Sequence, residues 1–232
     1  MRGNEDMKAM IDLINEQRIF TILNIDDYDL AKKCGEIAIN GGLKLIEVSL
    51  LAPDCFKLID EFSGNDSIKI GVTGVRKKED VINAKKANAS FMVTLHQDRE
   101  LIEEGKKQDI FVIGGASTPT EIFNANKWGA DLVNVFPIQP LGGPRYIKLL
   151  LDYFPSIDLR VQGGLNIHNY VDMLDAGAVA VGLSSSMFDK KTLKRKDFKM
   201  FEKKMEVFLG RYHMWKSFHS QERKEHSGVD GD

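Results

Sequence analysis

The sequence predicts an α/β fold, a (β/α)8 TIM barrel with an added C-terminal amphipathic helix. Three observations carry this prediction: eight short β-type runs, longer runs of helical period between them, and a length of 232 residues. Such alternation is the pattern of βα units around a parallel sheet. Eight units close into a barrel, and barrels of this kind have about 250 residues. We therefore expect a single barrel domain over residues 1–190.

Strand and helix signals follow one another regularly along this domain. Between the strands, Leu30, Cys34 and Ile37 form the apolar face of one helix. Thr118 followed by Pro119 is a helix start with proline at the first helical position. In chain order the predicted strands are 18–24, 43–50, 67–73, 90–95, 109–114, 131–136, 158–162 and 178–183.

Residues 191–216 predict a further helix packed on the barrel. Leu193, Phe198, Phe201, Met205 and Phe208 recur at helical spacing within a lysine-rich segment. A lysine-rich face is most often solvated, although basic amphipathic helices also bind membrane surfaces or partner proteins. The residues that follow, 217–232, are polar and are expected to form a disordered tail.

Composition points to a small-molecule site or a protein partner. The chain is 43% hydrophobic with a formal net charge of −2, so it has no overall basic field for nucleic acid. No segment approaches the roughly 20 apolar residues of a membrane span. Cys34 and Cys55 are too few for a disulfide framework and are expected to be reduced thiols of a cytoplasmic protein. We expect no cofactor, and His96 with Asp98 is too loose a pair to predict a metal site.

Glu47 is the first candidate for chemistry. Strand alternation places it among apolar neighbours near the end of the second strand, and the working residues of such barrels lie at the C-terminal ends of strands. A desolvated carboxylate titrates closer to neutral pH and can act as a general base or acid. The alternative is a structural ion pair, because Arg160, two residues before Gln162 on the seventh strand, could neutralise Glu47.

The segments after strands seven and eight predict a phosphate-binding site. Gly163 and Gly164 stand between a strand and a helix, where backbone N–H groups and the helix dipole can hold an anion. After strand eight, Gly182, Ser184 and Ser185 offer the same kind of site. Phosphate is frequently held by these two loops in TIM barrels.

Five motifs, in this order, carry a resemblance to a known family: IEVSL, VNVFP, LGGPRYIKLL, VQGGLN and VGLSSS. From about Phe20 to Phe188 the chain resembles the KDPG/KHG aldolases, which cleave 2-keto-3-deoxy-6-phosphogluconate or 4-hydroxy-2-oxoglutarate. The resemblance implies a (β/α)8 barrel, a homotrimer, and a small keto acid or phosphorylated ligand. It also implies a Schiff-base mechanism, with a lysine on strand six and a proton-transferring glutamate on strand two.

Carried over to this chain, the family pattern keeps its glutamate and loses its lysine. Glu47 matches the proton-transfer glutamate, and Gly163, Gly164 and Ser184 match phosphate-binding positions. Asn134 stands where the family has lysine. An amide cannot form an iminium ion, so the electron sink for carbon–carbon cleavage is missing.

Four further substrate-side positions depart from the family. Leu51 and Asn24 stand where the family carries arginines, the first of which holds the substrate carboxylate. The family's GAGT turn is GVTG here, with Gly74 at the threonine position and Thr73 one residue early. Gln162 replaces the threonine of the PTGG turn. Thr73, Gly74 and Gln162 are therefore the candidate substrate-binding residues of a rebuilt pocket.

Three functional hypotheses follow. The first is an aldolase-like protein that binds its ligand without Schiff-base activity. The second is an isomerase or metal-assisted lyase in which Glu47 transfers a proton and Asn134 or Gln162 polarises a carbonyl. The third is a non-catalytic scaffold whose lysine-rich helix is the working surface. A relocated nucleophile is disfavoured, because Lys44 and Lys69 have the outward phase on their strands.

Overall fold

A computed structural model of the protein describes residues 2–227, and it confirms the predicted (β/α)8 barrel. Eight parallel strands pair in chain order, and β1 pairs with β8 to close the barrel. The strands are β1 Ile19–Leu23, β2 Leu45–Ser49, β3 Lys69–Thr73, β4 Phe91–Val93, β5 Phe111–Ala116, β6 Leu132–Val135, β7 Leu159–Gln162 and β8 Ala180–Leu183.

The helices surround this sheet and begin and end with the expected signals. Thr118 accepts a hydrogen bond from the N–H of Glu121 and Pro119 opens the helix, as the sequence predicts. Within the described residues, no helix is both long and apolar enough to cross a bilayer. The helices are α1 Arg2–Gln17, α2 Tyr28–Asn40, α3 Cys55–Ser63, α4 Lys78–Lys86, α5 Arg99–Lys107, α6 Pro119–Lys127, α7 Pro144–Tyr153, α8 Tyr170–Asp175, α9 Lys190–Arg195 and α10 Phe198–Ser227.

Strand register brings the candidate residues into the barrel interior. Asn134 on β6 pairs with Arg160 on β7, and Gln162 on β7 pairs with Gly182 on β8. Alternate residues of a strand point to the same face, so Arg160 and Gln162 lie on the interior side together. The larger apolar core lies between the sheet and the helices and includes both cysteines, which are buried and unbonded.

Helix α1 closes the N-terminal end of the barrel, a feature that the sequence reasoning missed. Met10 and Ile14 are buried in one cluster with interior residues such as Phe20 and Phe91. The side chain of Gln17 donates a 2.8 Å hydrogen bond to the carbonyl of Gly42, which ties the end of α1 to the segment before β2. The bottom of the barrel is therefore filled by apolar side chains from outside the eight βα units.

The C-terminal segment folds as two helices where one was predicted. Lys196 has a φ of 50° and ends α9, and α10 begins two residues later. A residue in the left-handed region cannot continue a right-handed α-helix, so the chain turns at Lys196 and the segment forms two helices. Phe201, Met205, Phe208 and Tyr212 bury one face of α10 against the barrel.

Helix α10 also extends past the predicted end at residue 216. It continues to Ser227, so residues 217–227 are helical and the expectation of disorder from Ser217 is wrong for them. Rings of Trp215 and His219, one turn apart, have centroids 4.8 Å from each other and support this extension. Residues 228–232 of the predicted tail lie outside the described residues.

Candidate functional site

Arg160 is the centre of a buried polar network inside the barrel. Its Nη1 donates to Asn134 Oδ1 at 2.7 Å and to Gln162 Oε1 at 2.9 Å. Its Nη2 forms an ion pair with Glu47 Oε1, and both side chains are fully buried. The guanidinium carbon also lies 4.9 Å from the centroid of the Phe20 ring, within range of a cation–π interaction. The ion pair that the sequence offered as an alternative for Glu47 is therefore formed.

The opposite charges of Glu47 and Arg160 balance each other in a fully buried site. Burial raises the pKa of Glu47, and the nearby charge of Arg160 opposes that rise. Burial likewise lowers the pKa of Arg160, while Glu47 opposes it. The Thr73 hydroxyl is close enough to lower the pKa of Glu47, yet neither Thr73 Oγ1 nor Glu47 Oε2 completes a hydrogen bond of standard geometry.

Asn134 is held from both sides of its amide. Its oxygen accepts from Arg160, and its Nδ2 donates to the carbonyl of Thr94 at 3.4 Å. The Thr94 hydroxyl in turn accepts a 2.7 Å hydrogen bond from the N–H of Gly115. The amide is thus a structural member of the interior, fixed in one orientation by a donor and an acceptor.

No lysine takes over the position of a buried nucleophile. Within the part of the chain whose burial is described, residues 5–219, none of the lysine side chains is buried. Lys44 Nζ lies 3.2 Å from Glu16 Oε1 of α1, at the N-terminal end of the barrel. Lys69 is the first residue of β3, at the same end. Both lie away from Glu47, as the strand phase predicts.

Gly182 has a packing role that the sequence did not reveal. It lies inside β8, and a Cβ atom at this position would overlap Arg160 Nη2. The glycine therefore provides the space that the guanidinium occupies. The phosphate-binding role predicted for Gly182 stays a prediction, whereas its contact with Arg160 is direct.

The loop after β7 exposes backbone donors. Gly163 and Gly164 have φ values of 98° and 82°, which favour glycine. A Cβ at Gly164 would lie 2.5 Å from Gln139 Cβ, so the loop after β6 also requires a glycine here. Among the described residues, the N–H groups of Gly163, Gly164 and Ser185 have no protein acceptor. Ser184 is half-buried at the end of β8, beside this pair of loops.

The remaining candidate positions line the C-terminal rim. Thr73 is the last residue of β3 and is buried, and Gly74 follows it with a φ of 85°. Leu51 is 71% exposed, and Asn24 is also exposed. The two positions at which the resemblance implies arginines therefore present an uncharged surface.

The sequence offers His96 and Asp98 as one loose pair of possible metal ligands. The described residues contain no group of three or more His, Cys, Asp or Glu side chains that could hold a metal ion. His96 Nε2 lies 3.9 Å from Asp98 Oδ2, and both side chains are partly exposed.

A cleft of about 480 Å³ opens at the opposite end of the barrel. Met7 and Met10 of α1 line it together with Lys69, Asp109 and Phe111. Lys69 lies at the N-terminal end of β3, and Asp109 and Phe111 lie at that of β5, away from the network around Arg160. Because parallel barrels carry their chemistry at the C-terminal ends of strands, we place the candidate site at Arg160 and the rim above it.

A model of the KDPG and KHG aldolase family matches residues 10–204, a span that includes all eight strands and the Arg160 network. The chain belongs to the KDPG/KHG aldolase family. The family resemblance predicted from the five motifs is therefore confirmed.

Relatives in this family match most of the chain. The 2-dehydro-3-deoxy-phosphogluconate aldolase of Pseudomonas aeruginosa is 28% identical over 215 residues, which are 91% of this chain and 97% of that protein. The 2-dehydro-3-deoxy-6-phosphogalactonate aldolase of Escherichia coli is 30% identical over 155 residues, covering 65% of this chain and 74% of that protein.

Solved structures give the same picture of the fold. A structure described as native KDPGal is 26% identical with a TM-score of 0.77, covering 86% of this chain and 96% of its own. A KDPG aldolase from Legionella pneumophila, solved with pyruvate captured as a covalent carbinolamine, has a TM-score of 0.78 at 22% identity and the same coverage. At that identity the likeness concerns the fold alone.

Proposed function

We propose that this member of the KDPG/KHG aldolase family binds a phosphorylated ligand without covalent attachment and forms no Schiff base. The observation that carries the proposal is the hydrogen bond from Arg160 to Asn134. Schiff-base chemistry needs a neutral amine at the reacting carbon. Here that position holds an amide that accepts a hydrogen bond from a buried cation.

The state of Glu47 supports a binding role over proton transfer. A general base must have a free lone pair in reach of the substrate proton. One oxygen of Glu47 is engaged by Arg160, and the side chain is fully buried. The hypothesis of an isomerase or lyase that uses Glu47 would require Arg160 to release it, so we favour ligand binding.

The loops after β7 and β8 supply the groups for phosphate. Unpaired N–H groups at Gly163, Gly164 and Ser185 are the donors that anion sites of this kind use. The names of the relatives from Pseudomonas aeruginosa and Escherichia coli describe phosphorylated substrates. A phosphorylated ligand is the class that fits both observations.

A phosphate titration followed by amide NMR tests this binding site. Inorganic phosphate should shift the amide signals of Gly163, Gly164, Ser184 and Ser185, while chloride at the same ionic strength should leave them unchanged. The amide of Gly64, at the end of α3 on the outside of the barrel, is the internal control. Signals that do not respond to phosphate would contradict the proposal and favour the scaffold hypothesis.

We also propose a homotrimer located in the cytoplasm. Its support is the family resemblance, together with a designed cage, built by fusing symmetric oligomeric domains, that matches 92% of this chain at 26% identity and a TM-score of 0.82. Light scattering coupled to size exclusion should give three times the chain mass of 26.1 kDa. A monomer mass would contradict the trimer without affecting the phosphate site.

A further inference from the structure

The loop after β7 is held through the carbonyl oxygens of its two glycines. The carbonyl of Gly163 accepts a 3.2 Å hydrogen bond from the N–H of Gln139. The carbonyl of Gly164 accepts a 3.1 Å hydrogen bond from Asn169 Nδ2. Both peptide groups that flank Gly164 are therefore fixed by a donor from outside the glycine pair.

These bonds set the direction of the Gly164 N–H group. The C=O and N–H of a trans peptide point in opposite directions, so the N–H of Gly164 points away from Gln139 and from the loop after β6. On the other side of β7 lies the loop after β8, where the N–H of Ser185 also has no protein acceptor. Gly164 and Ser185 are both exposed, so an anion from solvent can reach them.

Asn169 holds this loop in place of capping its own helix. It is the N-cap residue of α8, and an asparagine there usually accepts a hydrogen bond from an N–H in the first turn. No such bond forms. Asn169 Oδ1 accepts instead from the N–H of Asn166 at 2.7 Å, and Nδ2 donates to Gln139 Oε1 at 3.4 Å as well as to the Gly164 carbonyl. One side chain thus joins the loops after β6 and β7.

We propose that Asn169 is a positioning residue of the phosphate site, which orders Gly164 before the ligand arrives. The inference rests on the phosphate site proposed above. Gly164 has a φ of 82° and no side chain to restrict its backbone. A loop that is already ordered in the free protein does not lose that backbone freedom on binding, and its affinity is higher for that reason. Asn169 acts through the Gly164 carbonyl and does not itself contact the anion.

A titration of the full-length protein with inorganic phosphate, followed at the amide signals of Ser184 and Ser185, tests this role. Asn169→Ala should weaken phosphate binding about tenfold, which corresponds to the backbone freedom of one residue. Asn166→Ala removes the same type of side chain from the same loop, where Asn166 Oδ1 accepts from the N–H of His168 and not from Gly164. Its affinity should stay within about twofold of the wild type.

An NMR measurement of backbone order separates positioning from a general loss of loop stability. The heteronuclear NOE of the Gly164 amide should fall in phosphate-free Asn169→Ala and return to the wild-type value at saturating phosphate. An unchanged NOE, or equal weakening by Asn169→Ala and Asn166→Ala, would overturn the inference and leave the phosphate site in place. Asn169→Asp keeps the acceptor for Asn166 but loses the donor, so wild-type affinity in this second variant would also overturn it. A wild-type protein that does not respond to phosphate would overturn the phosphate site and the inference together.

Discussion

Arg160 Nη1 donates a 2.7 Å hydrogen bond to Asn134 Oδ1 in the interior of the barrel. Asn134 is the position to which the resemblance assigns the family's Schiff-base lysine. An ammonium group there would face the guanidinium as a like charge, whereas an amide oxygen accepts from it. Asn134 and Arg160 therefore form one unit. An asparagine in place of the family's lysine is compatible with the guanidinium of Arg160 beside it.

The buried pair of Glu47 and Arg160 should be strongly coupled. Replacing Arg160 with leucine leaves a buried carboxylate without its partner and should lower the free energy of unfolding by about 3–5 kcal/mol. The double variant Glu47→Leu with Arg160→Leu should recover much of that loss, because an apolar pair of similar volume is often neutral. Urea denaturation of the wild type, both single variants and the double variant measures the coupling.

The exposed pair of Lys33 and Glu36 on α2 provides the control for that cycle. Both side chains are largely solvent-exposed and lie 3.3 Å apart, and exposed ion pairs contribute little. Their coupling should be far smaller than that of the buried pair. Additive effects of Glu47→Leu and Arg160→Leu would contradict the ion pair described here.

Gly182 should tolerate no side chain. Because a Cβ would overlap Arg160 Nη2, Gly182→Ala should destabilise the protein by about 1–3 kcal/mol through overpacking. Gly210→Ala is the matched control, since a Cβ at that position in α10 meets nothing within 4 Å. It should stabilise the helix by about 0.5–1 kcal/mol. Thermal denaturation of the two variants compares them, and a neutral Gly182→Ala would argue against the placement of Arg160.

Helix α1 should contribute to stability through its buried face. Ile14 is buried in the bottom of the barrel, whereas Ile11 on the same helix is 45% exposed. Ile14→Ala should cost about 2–5 kcal/mol, the usual range for deletion of a buried aliphatic side chain. Ile11→Ala should change stability by less than about 0.5 kcal/mol. Similar losses for both variants in urea denaturation would contradict the docking of α1 described here.

Asp189 should make the stability of the packed C-terminal helices depend on pH. It accepts hydrogen bonds from Thr192 and contacts Lys204 of α10. Burial alone raises the pKa of Asp189, but these partners outweigh it and hold the pKa well below its ordinary value. The resulting stability is present above the unfolded pKa of about 3.9 and is lost as the pH falls below it.

Asp189→Asn should therefore lower the melting temperature at pH 7, and the difference from wild type should shrink below about pH 4. Asp152→Asn removes the same charge from an exposed position on α7 and serves as the control. A difference that stays constant from pH 7 to pH 3 would contradict the depressed pKa of Asp189.

The strands were predictable because their pattern is local. Short apolar runs of period two, separated by helix signals such as Thr118 and Pro119, gave all eight strands in the right order. The position of α1 was not predictable in this way. Met10 and Ile14 have helical spacing, but the surface that they cover exists only after the barrel has closed. The extension of α10 past residue 216 was missed because the residues that follow are polar. The ring contact of Trp215 with His219, which accompanies the extension, is visible only in the structure.

The candidate site was predictable only in part. Strand phase placed Glu47 and Arg160 on the interior side and allowed for the pair that they form. The contact of Gly182 with Arg160 depends on the length of a side chain from the neighbouring strand, and no local pattern reports it. For that reason Gly182, which precedes the serine-rich turn, was predicted to bind phosphate, whereas its direct contact is with the guanidinium of Arg160.

The most direct test of the central claim is reductive trapping with pyruvate. The wild-type protein is incubated with pyruvate and borohydride and then weighed as the intact chain by mass spectrometry. A KDPG aldolase that retains its lysine, treated in parallel, controls for the chemistry. We predict an unchanged mass for this protein, because Asn134 cannot form an imine and no lysine between residues 5 and 219 is buried. A stoichiometric pyruvate adduct on one lysine would contradict the account.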